Sequence, residues 1–148
     1  MKIAIIYYSN HHFNTMKVVN SLAKSFEITV IDTDDTDTEN LEEYDIIGFA
    51  SGIYNSSFHR SVIDFLTKNL PENKKVFFLY TCSTKRKGYT KTITKAALDK
   101  NAEIIGEHGC LGFGTYGGNK FLGGIAKGHP DGMDIMEANR FFKSIISK

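Results

Sequence analysis

Ser9, His11, His12, Asn14 and Thr15 crowd the stretch Tyr7–Thr15, "YYSNHHFNT", between the apolar run "KIAII" and a segment of helical spacing. The stretch contains no Gly and no Pro, so it is a loop built from hydrogen-bonding side chains. Asn14 or Thr15 suits the cap of a helix starting near Met16. A helix start presents unpaired N–H groups and a partial positive charge, which favours an anion. Hydroxyl, amide and imidazole donors could therefore hold an anion there without Lys or Arg. The plainer alternative is that these residues only cap the helix and close a turn. This loop has neither the Gly-rich, Lys-containing phosphate-loop pattern nor a G-x-G-x-x-G run.

Other chemistry finds less support. Ser9, His59 and Asp64 are the residue types of a hydrolytic triad, but nothing in their spacing brings them together, and a Gly-framed nucleophile elbow is absent. Cys82 and Cys110 have no CxxC spacing and make neither a disulfide framework nor a zinc site. Reduced thiols and a cytoplasmic setting are the expectation, with no metal.

Positioning these residues falls to five apolar runs of strand length, at 2–8, 27–32, 45–51, 75–81 and 102–109. Several are nearly continuous, as suits strands buried on both faces. Between them Val19, Leu22, Ala23 and Phe26 recur at helical spacing, as do Val62, Phe65, Leu66 and Leu70, then Ile93, Ala96 and Ala97. Ile135, Ala138, Phe142 and Ile145 close the chain, and "TENLEEYD" (38–45) predicts one further short helix. Alternating strands and helices imply a parallel sheet with helices on both faces, joined by right-handed crossovers. Ligands then bind beyond the carboxyl ends of the strands. The rule selects 9–15, 51–59, 82–90 and 110–120.

A chain of 148 residues suits one domain, 1–148, with a real core. A net charge of +1 gives no strong overall field, so nucleic acid is not an expected partner. No apolar run nears the roughly 18 residues that span a bilayer, so no membrane is expected. Charge is nonetheless uneven. Seven acids and no base lie between Asp32 and Glu43, while Lys85, Arg86, Lys87, Lys91 and Lys95 occur with no acid among them.

The segments "YYSNHHFNTMKVVNSL", "YDIIGFASGIYNSSFHRSVIDFL" and "GCLGFGTYG…GGIAKGHP" resemble, in the same order, those of the flavodoxin family. The resemblance runs from Met1 to about Phe142. It implies an α/β three-layer sandwich whose five-stranded parallel sheet has the order 2-1-3-4-5, and FMN as cofactor. Ser9, His11, Asn14 and Thr15 would receive the phosphate, although Phe13 stands where Gly is common and the loop is one residue longer than usual. Ser51, Gly52 and Tyr54 would cover one face of the ring. Thr81, Cys82, Ser83 and Thr84 would turn backbone N–H groups to its edge, with Tyr89 a second ring to stack. Gly112, Phe113 and Tyr116 would close the other side. Asp32, Asp34 and Asp35 suggest instead the metal site of a receiver domain of the same fold. There, however, the acid follows strand three, where this chain has Ser51.

The implied activity is electron transfer, shuttling single electrons through semiquinone and hydroquinone. The alternative is a small FMN-dependent NAD(P)H or quinone-type oxidoreductase, and the fold alone does not decide between them. One departure stands out: 51–59, 82–91 and 110–121 contain no Asp or Glu. A unit charge about 8 Å away at an effective dielectric near 20 is worth roughly 2 kcal/mol, on the order of 90 mV for one electron. The low-potential couple should therefore be less negative than in acid-rimmed relatives, and the basic run Lys85, Arg86, Lys87 and Lys91 should favour an acidic redox partner or an anionic substrate.

Overall fold

The computed structural model describes residues 1–10, 13–114, 124 and 126–147. The elements run β1 (Ile3–Tyr8), α1 (Asn14–Ser25), β2 (Thr29–Asp32), β3 (Ile46–Tyr54), β4 (Ser57–Phe58), α2 (Arg60–Asn69), β5 (Lys75–Cys82), α3 (Lys91–Leu98), β6 (Glu103–Leu111) and α4 (Gly132–Ile146). Five strands form a parallel sheet in the order β2-β1-β3-β5-β6, and β4 pairs antiparallel with the end of β3.

The continuous apolar runs are explained by a core on each face. Along β1, Ala4 and Ile6 point to one side with Ile47, Phe49, Val76 and Phe78, where α2 and α3 supply Val62, Phe65, Leu66 and Ile93. Ile3, Ile5 and Tyr7 point to the other with Phe77 and Leu79, against Val19 and Leu22 of α1 and Phe142 and Ile145 of α4. Successive strand side chains face opposite ways, so a strand covered twice has no polar face to show. Gly48 allows a close approach: a Cβ there would lie 2.3 Å from the Phe77 ring.

Two expectations are corrected. Residues 38–45 form no helix. Their backbone is satisfied locally instead. The Thr36 and Asn40 side chains accept from Thr38 N and Glu42 N, as Asp32 does from Asp34 N just before them. Such side-chain turns compete directly with a helix. Leu41 and Tyr44 still reach the core from this segment.

The sheet also has a sixth, short strand, because the stretch after 51 is a hairpin rather than an open loop. Asn55 and Ser56 both adopt left-handed backbone, φ 50° and 62°. A two-residue turn with both central φ positive matches the twist of the strands it joins. It sets Ile53 opposite Phe58 and Tyr54 opposite Ser57.

Candidate functional site

The carboxyl ends of β1, β3, β5 and β6 meet in a narrow slot. Ser9, the first turn of α1 (Asn14, Thr15), Gly52 and Tyr54 of β3, Cys82 of β5 and Phe113 beyond β6 line it, with Ile53, Thr81, Ser83 and Gly112. Its volume is about 20 Å³, room for about one water. Tyr54 covers it by folding over Gly52, where a Cβ would lie 3.3 Å from the ring. A three-ring ligand therefore needs Tyr54 or Phe113 to move aside. A larger groove, about 690 Å³, lies at the opposite end of the strands beside Ile46, Lys75 and Ile104. It is away from the edge where parallel sheets bind ligands.

The start of α1 is built differently from the expected cap. Phe13, in left-handed backbone at φ 54°, occupies the cap position and makes no side-chain cap bond. Ser9 does the capping, its Oγ accepting from Met16 N at 3.0 Å. Asn14 and Thr15 are thereby freed to tie the slot together. Thr15 Oγ1 bonds Thr81 Oγ1 at 2.9 Å, linking α1 to β5. Asn14 Nδ2 donates to Phe113 O at 2.8 Å, linking α1 to the segment after β6. Gly112 makes room for this, since a Cβ there would stand 2.7 Å from Asn14 Nδ2. The other half of the amide, Asn14 Oδ1, is buried without a partner. An unpaired buried acceptor costs about 1–3 kcal/mol, and a ligand hydroxyl or N–H would recover it.

Among the described residues, no carboxylate lines the slot. Burial pushes the Cys82 thiol up, and only the Lys85 charge opposes it. Burial, with Asp134 and Cys82 adding to it, holds Cys110 at about 12. Both thiols stay protonated at neutral pH, so neither is a nucleophile.

A model of the flavodoxin domain matches residues 5–114. The chain belongs to the flavodoxin domain family. It is 38% identical to the uncharacterized protein MJ0298 of Methanocaldococcus jannaschii, over 99% of both chains. Its fold is similar to that of oxidised flavodoxin 2 from Bacillus cereus, with a TM-score of 0.70, 18% identity and 99% of each chain covered. A flavodoxin from the domain Archaea aligns at a TM-score of 0.63 and 14% identity, over 97% of this chain and 95% of that one.

The family implies a flavin mononucleotide, and the residues present suit one. The α1 terminus with Ser9 and Thr15 suits its phosphate, the orphaned Asn14 Oδ1 suits a hydroxyl donor of its sugar chain, and Tyr54 and Phe113 bring aromatic side chains to the lining. Of the flavodoxin-type site residues expected from sequence, the structure gathers Ser9, Asn14, Thr15, Gly52, Tyr54, Thr81, Cys82, Ser83, Gly112 and Phe113 around the slot. Ser51 lies just beneath, fully buried, its Oγ donating to Gly52 O and accepting from His59 N. Thr84 and Tyr89 are not brought to the slot. The Tyr89 hydroxyl donates to Thr84 O at 2.6 Å and its buried ring meets Tyr80 edge-on. His11, His12 and Tyr116 fall outside the described residues.

The triad types are dispersed. Asp64 pairs with Arg60 at 3.0 Å, Ser9 caps α1, and His59 Nδ1 is occupied by Ser61. Sequence reasoning missed Tyr8 and undervalued His59. Their rings stack at 3.6 Å, and Tyr54 meets His59 edge-on at 5.0 Å. Strand alternation contained the signal, since it puts Tyr8 on the face of Ala4 and Ile6, which α2 covers starting from His59.

Proposed function

We propose that the protein binds FMN across this slot and carries single electrons between other proteins in the cytoplasm. The observation that carries the reading is Asn14. Its amide is fixed through Nδ2 at the start of α1, and Oδ1 is left buried and unpaired at the slot. A preorganised acceptor beside a helix terminus suits a ligand with both a hydroxylated chain and an anionic group. Bound FMN would supply the one-electron chemistry, while the chain supplies position and electrostatics. Ser9, Asn14 and Thr15 would hold the phosphate and sugar chain, with His11 expected beside them. Tyr54 and Phe113 would face the ring, and the backbone of 81–84 and of Gly112 would meet its edge. No helix among the described residues is long and apolar enough to cross a membrane.

Titrating the flavin-free protein with FMN and with riboflavin tests the reading. Quenched flavin fluorescence and a raised melting temperature are expected, with stabilisation of about 2.7 kcal/mol at a hundredfold excess over Kd. Riboflavin should bind more weakly. FMN leaving both signals unchanged would refute the reading, whereas steady NAD(P)H oxidation by the loaded protein alone would favour the reductase.

A further inference from the structure

We propose that the segment Lys85–Lys91 is the docking surface for an acidic redox protein, met on the β5 side of the slot. The proposal names the partner for the carrier function above and rests on that reading. Cys82 and Ser83 line the slot, and Lys85, Arg86 and Lys87 follow within four residues, all exposed. Lys91 opens α3 on the same rim, also exposed.

These cations are left without an ion pair, as several other surface lysines are, but they are clustered in one short segment beside the slot. Lys2, Arg60, Lys68 and Lys95 each pair with a carboxylate, at 3.0, 3.0, 3.5 and 3.4 Å. Among the described residues, none of Lys85, Arg86, Lys87 and Lys91 does. The carboxylate that approaches this segment, Glu107, takes its bond from the Thr90 hydroxyl at 2.6 Å.

The arrangement also works against the helix it precedes. The first turn of α3 contains no acid, begins with Lys91, and its cap residue Thr90 makes no side-chain cap bond. A cation at a helix start opposes the macrodipole.

The rim is polarised across the slot. On the β5 side, the Lys85 charge is felt at Cys82 in the slot wall. On the β2 side stands the acidic segment 32–43, and the Asp34 charge is felt at His59, which packs against Tyr8 and Tyr54. An acidic surface approaching the slot is drawn to one side and repelled from the other, which sets its orientation and speeds encounter. Four exposed cations spread over seven residues match a surface of several carboxylates better than one small anion.

The test uses cytochrome c, a basic haem protein, and its succinylated form, in which lysines become carboxylates around the same haem. Carbodiimide cross-linking to the flavin-free protein, mapped by mass spectrometry, should give amides from Lys85, Lys87 and Lys91 to the succinylated form. Reduction of its ferric haem by the reduced, FMN-loaded protein, one electron per haem, should slow on the order of tenfold between about 20 and about 200 mM salt. The variant Lys85→Gln/Arg86→Gln/Lys87→Gln should keep its melting temperature, lose those cross-links and flatten the salt dependence. Preferential cross-linking of native cytochrome c through Asp34, Asp35 or Asp37, with a rate that falls with salt, overturns the proposal. Cross-links at the lysines in a protein that binds no FMN would support the docking surface and refute the carrier function.

Discussion

His59 joins the backbone, the aromatic rim and pH in one side chain, and replacing it should destabilise the protein in a pH-dependent way. It is the cap of α2: Nδ1 accepts from Ser61 N at 3.1 Å and bonds Ser61 Oγ at 2.8 Å. A ring nitrogen that accepts a backbone N–H carries no proton of its own, so the proton sits on Nε2 and the cap exists only in the neutral ring. The ring also stacks on Tyr8 at 3.6 Å with planes 15° apart, and meets Tyr54 edge-on. The cap is worth about 1 kcal/mol and the ring contacts about 0.5–1.5 kcal/mol. His59→Ala should therefore lose about 2 kcal/mol near pH 8.

Burial holds the folded His59 below its ordinary value of 6.5, with Asp34 opposing. The unfolded chain then binds the proton more readily than the folded one. Stability from this group is complete above about pH 6.5 and is lost as pH falls toward the depressed folded value. The stability difference between wild type and His59→Ala should shrink between about pH 8 and about pH 5. His59→Asn keeps an acceptor for Ser61 N and does not titrate, so it should lose only the ring contacts. Urea denaturation followed by circular dichroism measures this, and subtracting variant from wild type cancels the other titrating groups. Among these, His129 acts with opposite sign, since its bond to Asp134 raises it and its contribution fades as pH rises. A difference that stays constant with pH, or a loss below about 0.5 kcal/mol for His59→Ala, would refute the reasoning.

Two further perturbations probe the slot. Gly112→Ala puts a methyl 2.7 Å from Asn14 Nδ2 and 3.0 Å from its Cβ. Asn14 is buried and cannot retreat, so its bond to Phe113 O should break, at a cost of about 1–3 kcal/mol in urea denaturation and with weaker FMN binding. Unchanged stability and affinity would mean that Asn14 is not a fixed point of the slot. In a redox titration of the FMN-loaded protein, the low-potential couple should lie above that of acid-rimmed flavodoxins, by on the order of 90 mV per carboxylate missing at about 8 Å. Lys85→Gln should lower it by about 20 mV, the value for an exposed charge at that separation in water, and an equally negative wild-type potential would reject the electrostatic account.

The sheet was legible because burial on both faces leaves its mark residue by residue. Ile3–Tyr8 and Lys75–Cys82 read as near-continuous apolar runs for the same reason that each feeds two cores. Once those strands are parallel, topology alone brings Ser9, Gly52, Cys82 and Gly112 to one rim, although they lie far apart in the chain. What escaped the sequence depends on partners that spacing does not reveal. The acids and threonines of 32–42 could extend a helix or close their own turns, and local hydrogen bonds decide for turns. The hairpin at Asn55–Ser56 lacks the glycine that normally announces a left-handed turn, and so does the α1 start at Phe13.

That last substitution explains more than its own backbone. With a bulky residue holding the left-handed position, the cap passes to Ser9, and Asn14 and Thr15 bond across the slot instead of back to their own helix. Anion affinity at a helix start does not require its capping residue to touch the ligand. It requires that the unpaired N–H groups and the side chains around them be held rigid before the ligand arrives. Here rigidity comes from β5 through Thr81 and from Phe113, so the slot's geometry depends on the strands beyond it. A mutation at Thr81 or Gly112 should disturb ligand binding as much as one in the loop itself.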